Sequence, residues 1–533
     1  LKVFIKGLGL SVVTDTQGDA LDKIILLGLK YNLQSVLSLT LTDGSLYRGR
    51  RQMEITFGSP QMTWFRQRQS LSENTRANVY RSFVNVLTGR ETNLKAIEAI
   101  NYAETAASVV LKTVQQKHQD QSVYVRASLI HTYTPNVPSR KWGRLISTHS
   151  GNVYQTSDQL AANLRALAYL DILYRKIGDV GVNRLVVWEI LRQLGPLTSP
   201  SIAGLLKPSS RRQLCLDAVI QAMEIPALSV YLFGAVTQAA IRSADVMLKG
   251  IQASVLQEIN DATWLDDLPR SVALQKVQSM TKHVGYPTHL RTEEDLNTFY
   301  EYYPDVQDKF LDHWLNAMER NMEWLIRDKK HFLFHLTPAN AKYVPMRNIM
   351  VILASIIRPP VYALEGPDGF NFGGLGNVMG HEIMHAFDVE GSKRDAAGRL
   401  IRWWTPRAWE YFENKTLCLR SSHQTASQGR ARSLDATLDS ENMADFLALS
   451  SVFKAFQKYQ DTRRFPNLTY NSRQLFFIAS CLKLCSAPGG GAGHYAAPQQ
   501  RCNVPLMNTV AFAKAFQCAR NSPMNPANKC SFW

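Results

Sequence analysis

Two histidines four residues apart, with a glutamate directly after the first, make the most chemically informative stretch of the chain. They are His381, Glu382 and His385, within GGLGNVMGHEIMHAFD, Gly373 to Asp388. On a helix, positions i and i+4 lie one turn apart on the same face, so both histidines can reach one metal ion. Glu382 points about 100° around from His381 and can hydrogen-bond a water on that metal without being a ligand. The combination is that of a zinc hydrolase: the metal polarises a carbonyl and acidifies its water, and the carboxylate removes the proton. With 12 His among 533 residues, chance yields the five-residue pattern in about one such chain in a hundred. A purely structural helix with surface histidines therefore requires a rare accident.

A third ligand is the sharper test. In the metzincin pattern a His would stand at 391 and a Gly at 388, but the chain has Gly391 and Asp388. The aminopeptidase-like pattern would put a Glu at 404, where Trp404 stands. The remaining candidate is LDSENMADFLAL, 438–449, a helical stretch with Glu441 and Asp445 at i and i+4. Glu441 can complete a site of two histidines and one glutamate, with the fourth position left to water. Asp445, and Asp388 just after the motif, can accept the outer N–H of the two histidines, which fixes their tautomers and raises their basicity. An E-x-x-x-D pair alone is common on solvated helices. Downstream of HEIMHAFD it reads as a ligand helix.

The elements that must hold these residues follow from periodicity and turn chemistry. SVLSLTLTDGSLYRG reads as strand, turn, strand, with Asp43-Gly44 at the turn. From about 70 to 285 the pattern is mostly helical, as in ANLRALAYLDILYRKIG (162–178) and VALQKVQSMTKHVGYP (272–287), the latter closed by Gly-Tyr-Pro. Helices continue to about 335, and a strand-like stretch, PANAKYVPMRNIMVILASIIRPP, precedes the histidines. GGGAG (489–493) is the one flexible-looking insert. A domain boundary falls near 290, dividing a mostly helical lobe, 1–290, from a catalytic lobe, 291–533.

Composition bounds the function. At 533 residues, 45% apolar and 20% charged, the chain can bury a large core in two domains. The net charge of +16 raises the question of an anionic partner. However, Lys and Arg form no long block and no nucleic-acid-binding motif is visible, which argues against nucleic acid. IILLGL (24–29) and IMVILASII (349–357) are too short for a membrane span. The chain opens on Leu1 without a signal peptide, so the expectation is a piece of a longer protein whose N-terminal segment can carry a membrane anchor. Of seven cysteines, Cys215 stands alone. Cys418, Cys481, Cys485, Cys502, Cys518 and Cys530 crowd the last quarter without a CxxC pair. Together with the sequons at Asn414 and Asn467 they favour an oxidising, extracellular setting, secreted or at the cell surface.

At this level of detail the sequence resembles the neprilysin and endothelin-converting-enzyme family of zinc metallopeptidases. GGLGNVMGHEIMHAFD and GRLIRWWT (398–405) are similar to the family's zinc helix and the segment after it, and SENMAD (440–445) to its glutamate motif, usually GENIAD. Asn340-Ala341 with RPPVY (358–362) resembles the substrate-aligning edge and the Pro-Pro that follows. RQLFFIASCLKLC (473–485) and FAKAFQCARNSPMNPANKCSFW (512–533) resemble the family's C-terminal region, and NDATWLDD and GYP (260–267, 285–287) weaker landmarks. Residues 1 to 200 match only loosely.

The resemblance implies a mainly α, two-lobed ectodomain: a thermolysin-like catalytic lobe with a small β-sheet, and a helical lobe enclosing a chamber. It implies one zinc ion on His381, His385 and Glu441, with Glu382 as general base and Asp388 and Asp445 orienting the histidines. Asn340 and Ala341 would hold the substrate backbone as an added strand, and Arg501 would bind a substrate carbonyl. Without the family, Asn340 reads as a turn cap and Arg501 as a surface charge. Peptide substrates, cut on the amino side of an apolar residue, are the implied partners; the oligomeric state is not legible. The resemblance also pairs Cys418 with Cys530 and assigns Cys215, Cys485 and Cys518 partners upstream of Leu1, leaving Cys481 and Cys502 to pair with each other.

The departures bear on specificity. Asn377 replaces an apolar residue near the pocket for the side chain after the cut, and Val361 is smaller than the usual Phe. After Asp445 the chain reads FLAL where the family has NGGL. The spacing of the family's transition-state histidine falls on Tyr495, and His494, one residue earlier in a shortened loop, is the preferred donor. The rival function is a catalytically weak relative acting as a peptide-binding or receptor ectodomain, disfavoured because the ligand and base positions are intact. A basic adhesion or inhibitor protein would need no stoichiometric zinc.

Overall fold

The computed structural model describes residues 1–533 except 17, 43–50, 90–93, 118–120, 207–209, 288–289, 291, 304, 306–308, 329–335, 337–338, 428–435, 460, 462 and 486–494. It divides into two compact units, Leu1–Ala227 with Asn297–Phe334, and Leu228–Leu296 with His335–Trp533.

The first unit surrounds a four-stranded sheet with helices. Strands β1 (Leu37–Thr42), β2 (Gln52–Phe57), β3 (Ser122–Arg126) and β4 (Gln159–Asn163) lie in the order β1-β2-β4-β3. The β1–β2 pair is antiparallel; β1 matches the first strand of the strand–turn–strand reading, while its Asp43-Gly44 turn and the stretch 45–49 after it lie outside the described residues. Asn163 caps the helix Leu164–Thr198 by accepting from the Ala166 N–H, and the backbone breaks at Gly178, φ 63°. The periodic stretch ending at Gly178 is thus the first half of a longer helical run. Its second half buries Trp188 against Trp64, Tyr80 and Phe83 at ring separations of 4.7 to 5.9 Å. Trp64 in turn donates to the buried Glu104 carboxylate at 2.6 Å.

Among the described residues one helix, Arg211–Ala235, is long and apolar enough by length and composition to cross a membrane, with 17% of its most apolar window buried. Its apolar residues are interspersed with Gln, Asp and Glu, so no continuous run announces it in the sequence. Its backbone leaves helical geometry at Met223, shortly before Pro226.

The second unit carries the histidine motif. Its sheet runs β5 (Thr281–Gly285), β7 (Ile349–Leu353), β6 (Ala341–Val344), with β7 buried along its length, parallel to β5 and antiparallel to β6. Here two expectations are corrected. VALQKVQSMTKHVGYP is not one helix to its end: the helix Asp267–Gln278 stops, and Thr281–Gly285 becomes a strand because it pairs with β7, a partner distant in sequence. The unit also begins well before 290. The segment 228–296 supplies both β5 and the helix Gln238–Asp261, whose Glu258 takes a hydrogen bond from Ser451 and pairs with Lys454 at 2.5 Å. The segment from Asn297 belongs instead with the first unit, where Trp314 donates to the Ala218 carbonyl at 3.0 Å.

The histidine helix is entered through a short helix, Asp368–Asn371, and a π turn, Phe372–Gly376, before Asn377–Met384. It packs along the glutamate helix, Ala436–Phe456. Their close approach depends on Gly380, where a Cβ would meet Val452 Cγ2 at 2.4 Å and Ala448 Cβ at 3.2 Å. Val452 is fully buried and β-branched, so it has little freedom to turn away. Gly380→Ala is therefore expected to destabilise the protein by about 1–3 kcal/mol through overpacking and to loosen the metal by separating His381 from Glu441. Thermal melts and a chelator titration check this; a variant that matches the wild type in both would mean the approach is not limited there.

Candidate metal centre

The histidine helix and the glutamate helix bring His381, His385 and Glu441 together, with one ligand atom from each lying within 4.8 Å of the others. His381 Nε2 is 3.1 Å from His385 Nε2 and 3.2 Å from Glu441 Oε2, and His385 Nε2 is 3.8 Å from Glu441 Oε1. The outer nitrogens are occupied by the two aspartates singled out in the sequence. His381 Nδ1 faces Asp445 Oδ1 at 2.9 Å, and His385 Nδ1 faces Asp388 Oδ2 at 2.6 Å. With a carboxylate facing each Nδ1, each imidazole in its neutral form presents the Nε2 lone pair inward, and the two point at one another and at a carboxylate. Glu441 Oε2 is buried with no hydrogen-bond donor among the described residues. Converging lone pairs without a donor call for a cation, and two imidazoles with one carboxylate fit zinc with a position left open.

Each orienting aspartate is itself fixed. Asp388 Oδ1 accepts the backbone N–H groups of Glu390 and Gly391 at 2.8 and 2.6 Å. Asp445 accepts from Arg501 on both oxygens, Nε to Oδ2 at 2.6 Å and Nη2 to Oδ1 at 3.0 Å. Burial alone would raise the Asp445 carboxyl, but His381, Lys483 and Arg501 hold it well below the ordinary carboxylate range. Behind the histidine helix, the buried Lys276 donates to the carbonyls of Ala386, Gly391 and Arg394 at 2.6 to 2.8 Å. Its three N–H donors match three acceptors, and the positive charge sits where the last helical carbonyls point. No sequence signal distinguishes this lysine from the other helical ones.

A cleft of about 490 Å³ opens on the three ligands, and Asn340, Ala341, Glu382, Lys483, Tyr495 and Arg501 are among its lining residues. Glu382 is buried, and burial raises its carboxyl against the opposing charges of His381 and His385. Asn340 is exposed at the head of the edge strand β6, and its carbonyl accepts from the Leu353 N–H at 3.3 Å. Arg501 is not a loose surface charge: Asp445 engages Nε and Nη2, and the guanidinium lies over the Tyr495 ring at 4.3 Å. His494 lies outside the described residues. Lys483 was not anticipated either; its only sequence signal is a lone lysine inside an apolar run. The disulfides Cys418–Cys530 and Cys481–Cys502 are both present, the second bracketing the segment between Lys483 and Arg501. Cys215, Cys485 and Cys518 are free thiols.

A family model described as Peptidase family M13 matches residues 340–532, and a second, for the N-terminal part of the same family, matches 7–287. The human protein named Endothelin-converting enzyme-like 1 is 26% identical over 548 residues, covering 94% of this chain and 69% of its own length. The rat protein of that name is 26% identical and is covered over 60% of its length. Neprilysin-1 of Trittame loki is 27% identical over 367 residues, 62% of this chain and 49% of that protein. Among solved structures, the zinc metalloprotease Zmp1 of Mycobacterium tuberculosis superposes with a TM-score of 0.71 at 19% identity, covering 97% of this chain and 84% of that one. PepO of Lactobacillus rhamnosis HN001 gives 0.69 at 20% identity, covering 98% and 84%. At such identities these two share the fold.

The site's electrostatics give a pH dependence. Without a metal, burial works against a charged His381, yet Asp445 and Glu441 outweigh it and raise the imidazole to about 9. The raised value adds stability to the metal-free protein that is fully present below the ordinary histidine range and lost as pH rises through about 9. Zinc must displace the same proton, so its affinity is expected to climb between pH 7 and 9 and to level above. Chelator competition at fixed pH values should show the zinc affinity rising by up to about tenfold per pH unit from pH 7 towards 9. An affinity flat from pH 7 to 9 would contradict this.

Proposed function

The chain belongs to peptidase family M13, and with it to the zinc metalloendopeptidases; on that premise we propose that it hydrolyses oligopeptides outside the cell at the site built on His381, His385 and Glu441. The observation that carries the reading is the convergence of those three ligands beside a buried Glu382 in an open cleft. Two disulfides and the exposed Asn467 of one sequon support the extracellular setting.

In this reading His381, His385 and Glu441 hold zinc, which supplies polarisation of the scissile carbonyl and acidification of water. Glu382 takes the proton from the attacking water as its oxygen bonds to the carbonyl carbon, and delivers it to the amine as the C–N bond breaks. Its raised proton affinity suits both halves of that transfer. Asp388 and Asp445 keep the imidazoles in the ligating tautomer. Asn340 and Ala341, at the start of the edge strand β6, pair with the extended substrate backbone. Arg501 retains Nη1 for a substrate carbonyl while its other nitrogens grip Asp445. The oxyanion donor comes from His494 or from Tyr495, whose ring lines the cleft over Arg501. Val361, Val378 and Leu484 supply apolar wall in the same cleft.

Glu382→Gln is expected to keep zinc and lose turnover by a factor of roughly 10²–10⁴, since it removes the base and no ligand. Glu441→Ala should instead lose the metal. Metal analysis beside peptide cleavage checks both, and near-normal cleavage by Glu382→Gln would refute the mechanism.

A further inference from the structure

The cleft holds a positive charge that neither metal binding nor the proton transfer uses. Lys483, its side chain 13% exposed, donates to Asn377 Oδ1 at 2.7 Å, and Asn377 itself is buried. The nearest carboxylate oxygen, Asp445 Oδ1, is 3.9 Å away. That oxygen already faces His381 Nδ1 and accepts from Arg501, and its partner Oδ2 accepts from Arg501 as well. An ammonium has three donors, and among the described residues Lys483 spends one of them on a neutral amide. The Asp445 charge is near enough to offset the ammonium but no carboxylate accepts from it directly among the described residues, so its remaining donors face the cleft without a charged acceptor.

The position tells which anion. Glu382 and Lys483 both line the cleft and each feels the other's charge. Glu382 hands its proton to the leaving amine, so the residue carrying that amine lies on the Glu382 side, next to Lys483. Val378 and Leu484 flank the same recess and suit the methylenes of a side chain whose tip is charged. With a divalent ion bound, Lys483 and Arg501 offset the carboxylates of Glu382, Asp388, Glu441 and Asp445, so an arriving carboxylate meets no net repulsion. Lys342 on the edge strand also lines the cleft, and the whole chain carries +16, a field that draws anionic peptides inward.

Resting on the peptidase reading above, we propose that the Asn377–Lys483 pair selects substrates with an acidic side chain, Glu or Asp, on the residue immediately after the cut. Asn377 holds the ammonium in place, and Lys483 forms the charge-assisted hydrogen bond to the substrate carboxylate. The apolar preference implied by resemblance is thereby replaced at this position.

Fluorescence-quenched peptides with amidated C-termini, differing only by Glu, Gln, Leu or Lys at that residue, provide the test. The wild type is expected to favour Glu over Gln and Leu by at least about tenfold in kcat/KM, and Lys483→Met to reverse the order of Glu and Leu. A wild type that cuts the Leu peptide as well as the Glu peptide overturns the proposal, as does a Glu preference that survives Lys483→Met. A Glu preference that lies before the cut does so too. Free-acid versions of the same peptides separate a second source of carboxylate: dependence on the free C-terminus, whatever the side chain, also overturns it. Binding of the amidated series to Glu382→Gln protein, read by fluorescence anisotropy, tests selection apart from turnover. If zinc-loaded wild type cuts nothing yet Glu382→Gln binds the Glu peptide about tenfold tighter, the peptidase reading fails and the selection stands. Equal binding there counts against the selection itself.

Discussion

Three lone-pair donors pointed at one another are the constraint around which the second unit is arranged. His381 Nε2, His385 Nε2 and the Glu441 carboxylate are close enough to repel unless something positive lies among them. Their orientation is not incidental, because each imidazole is turned inward by a carboxylate behind it. Those carboxylates are anchored in their turn, Asp388 by backbone N–H groups and Asp445 by the Arg501 guanidinium. A site of this kind gains affinity from preorganisation: the cost of assembling like charges is met on folding, by partners outside the ligand set.

The same logic explains why so many charges are buried in one small region. Lys276 satisfies the carbonyls of Ala386, just past the end of the histidine helix, and of Gly391 and Arg394 in the segment that follows. Lys483 and Arg501 stand on the cleft side, one lightly engaged by a neutral amide and one gripped on two nitrogens. That contrast separates their roles. Arg501 holds Asp445, and through it His381, whereas Lys483 donates to Asn377 and stands 3.9 Å from the nearest Asp445 oxygen. The Cys481–Cys502 link limits how far the two can move apart.

Much of the centre was legible in the sequence because its spacings are those of a single helical turn. His381 and His385, and then Glu441 and Asp445, each stand at i and i+4, a separation that fixes a shared face whatever the tertiary context. Asp388 was legible as the next carboxylate after the motif. The rest depends on neighbours distant in the chain. Thr281–Gly285 follows a helical pattern directly and becomes a strand only because β7 lies beside it, a pairing that local periodicity does not encode. The division near 290 failed for the same reason, since β5 and the Gln238–Asp261 helix join the later sheet and helices. Lys276 and Lys483 are ordinary lysines in sequence; burial and acceptor geometry, which are tertiary facts, give them their meaning.

The central claim, that two imidazoles and one carboxylate close on a single zinc ion, is tested most directly by X-ray absorption at the zinc edge of the purified protein. The account predicts one zinc per chain with only nitrogen and oxygen neighbours near 2.0–2.2 Å, and the scattering signature of two imidazole rings. A sulfur neighbour near 2.3 Å, drawn from the free cysteines, or the absence of imidazole scattering would contradict it.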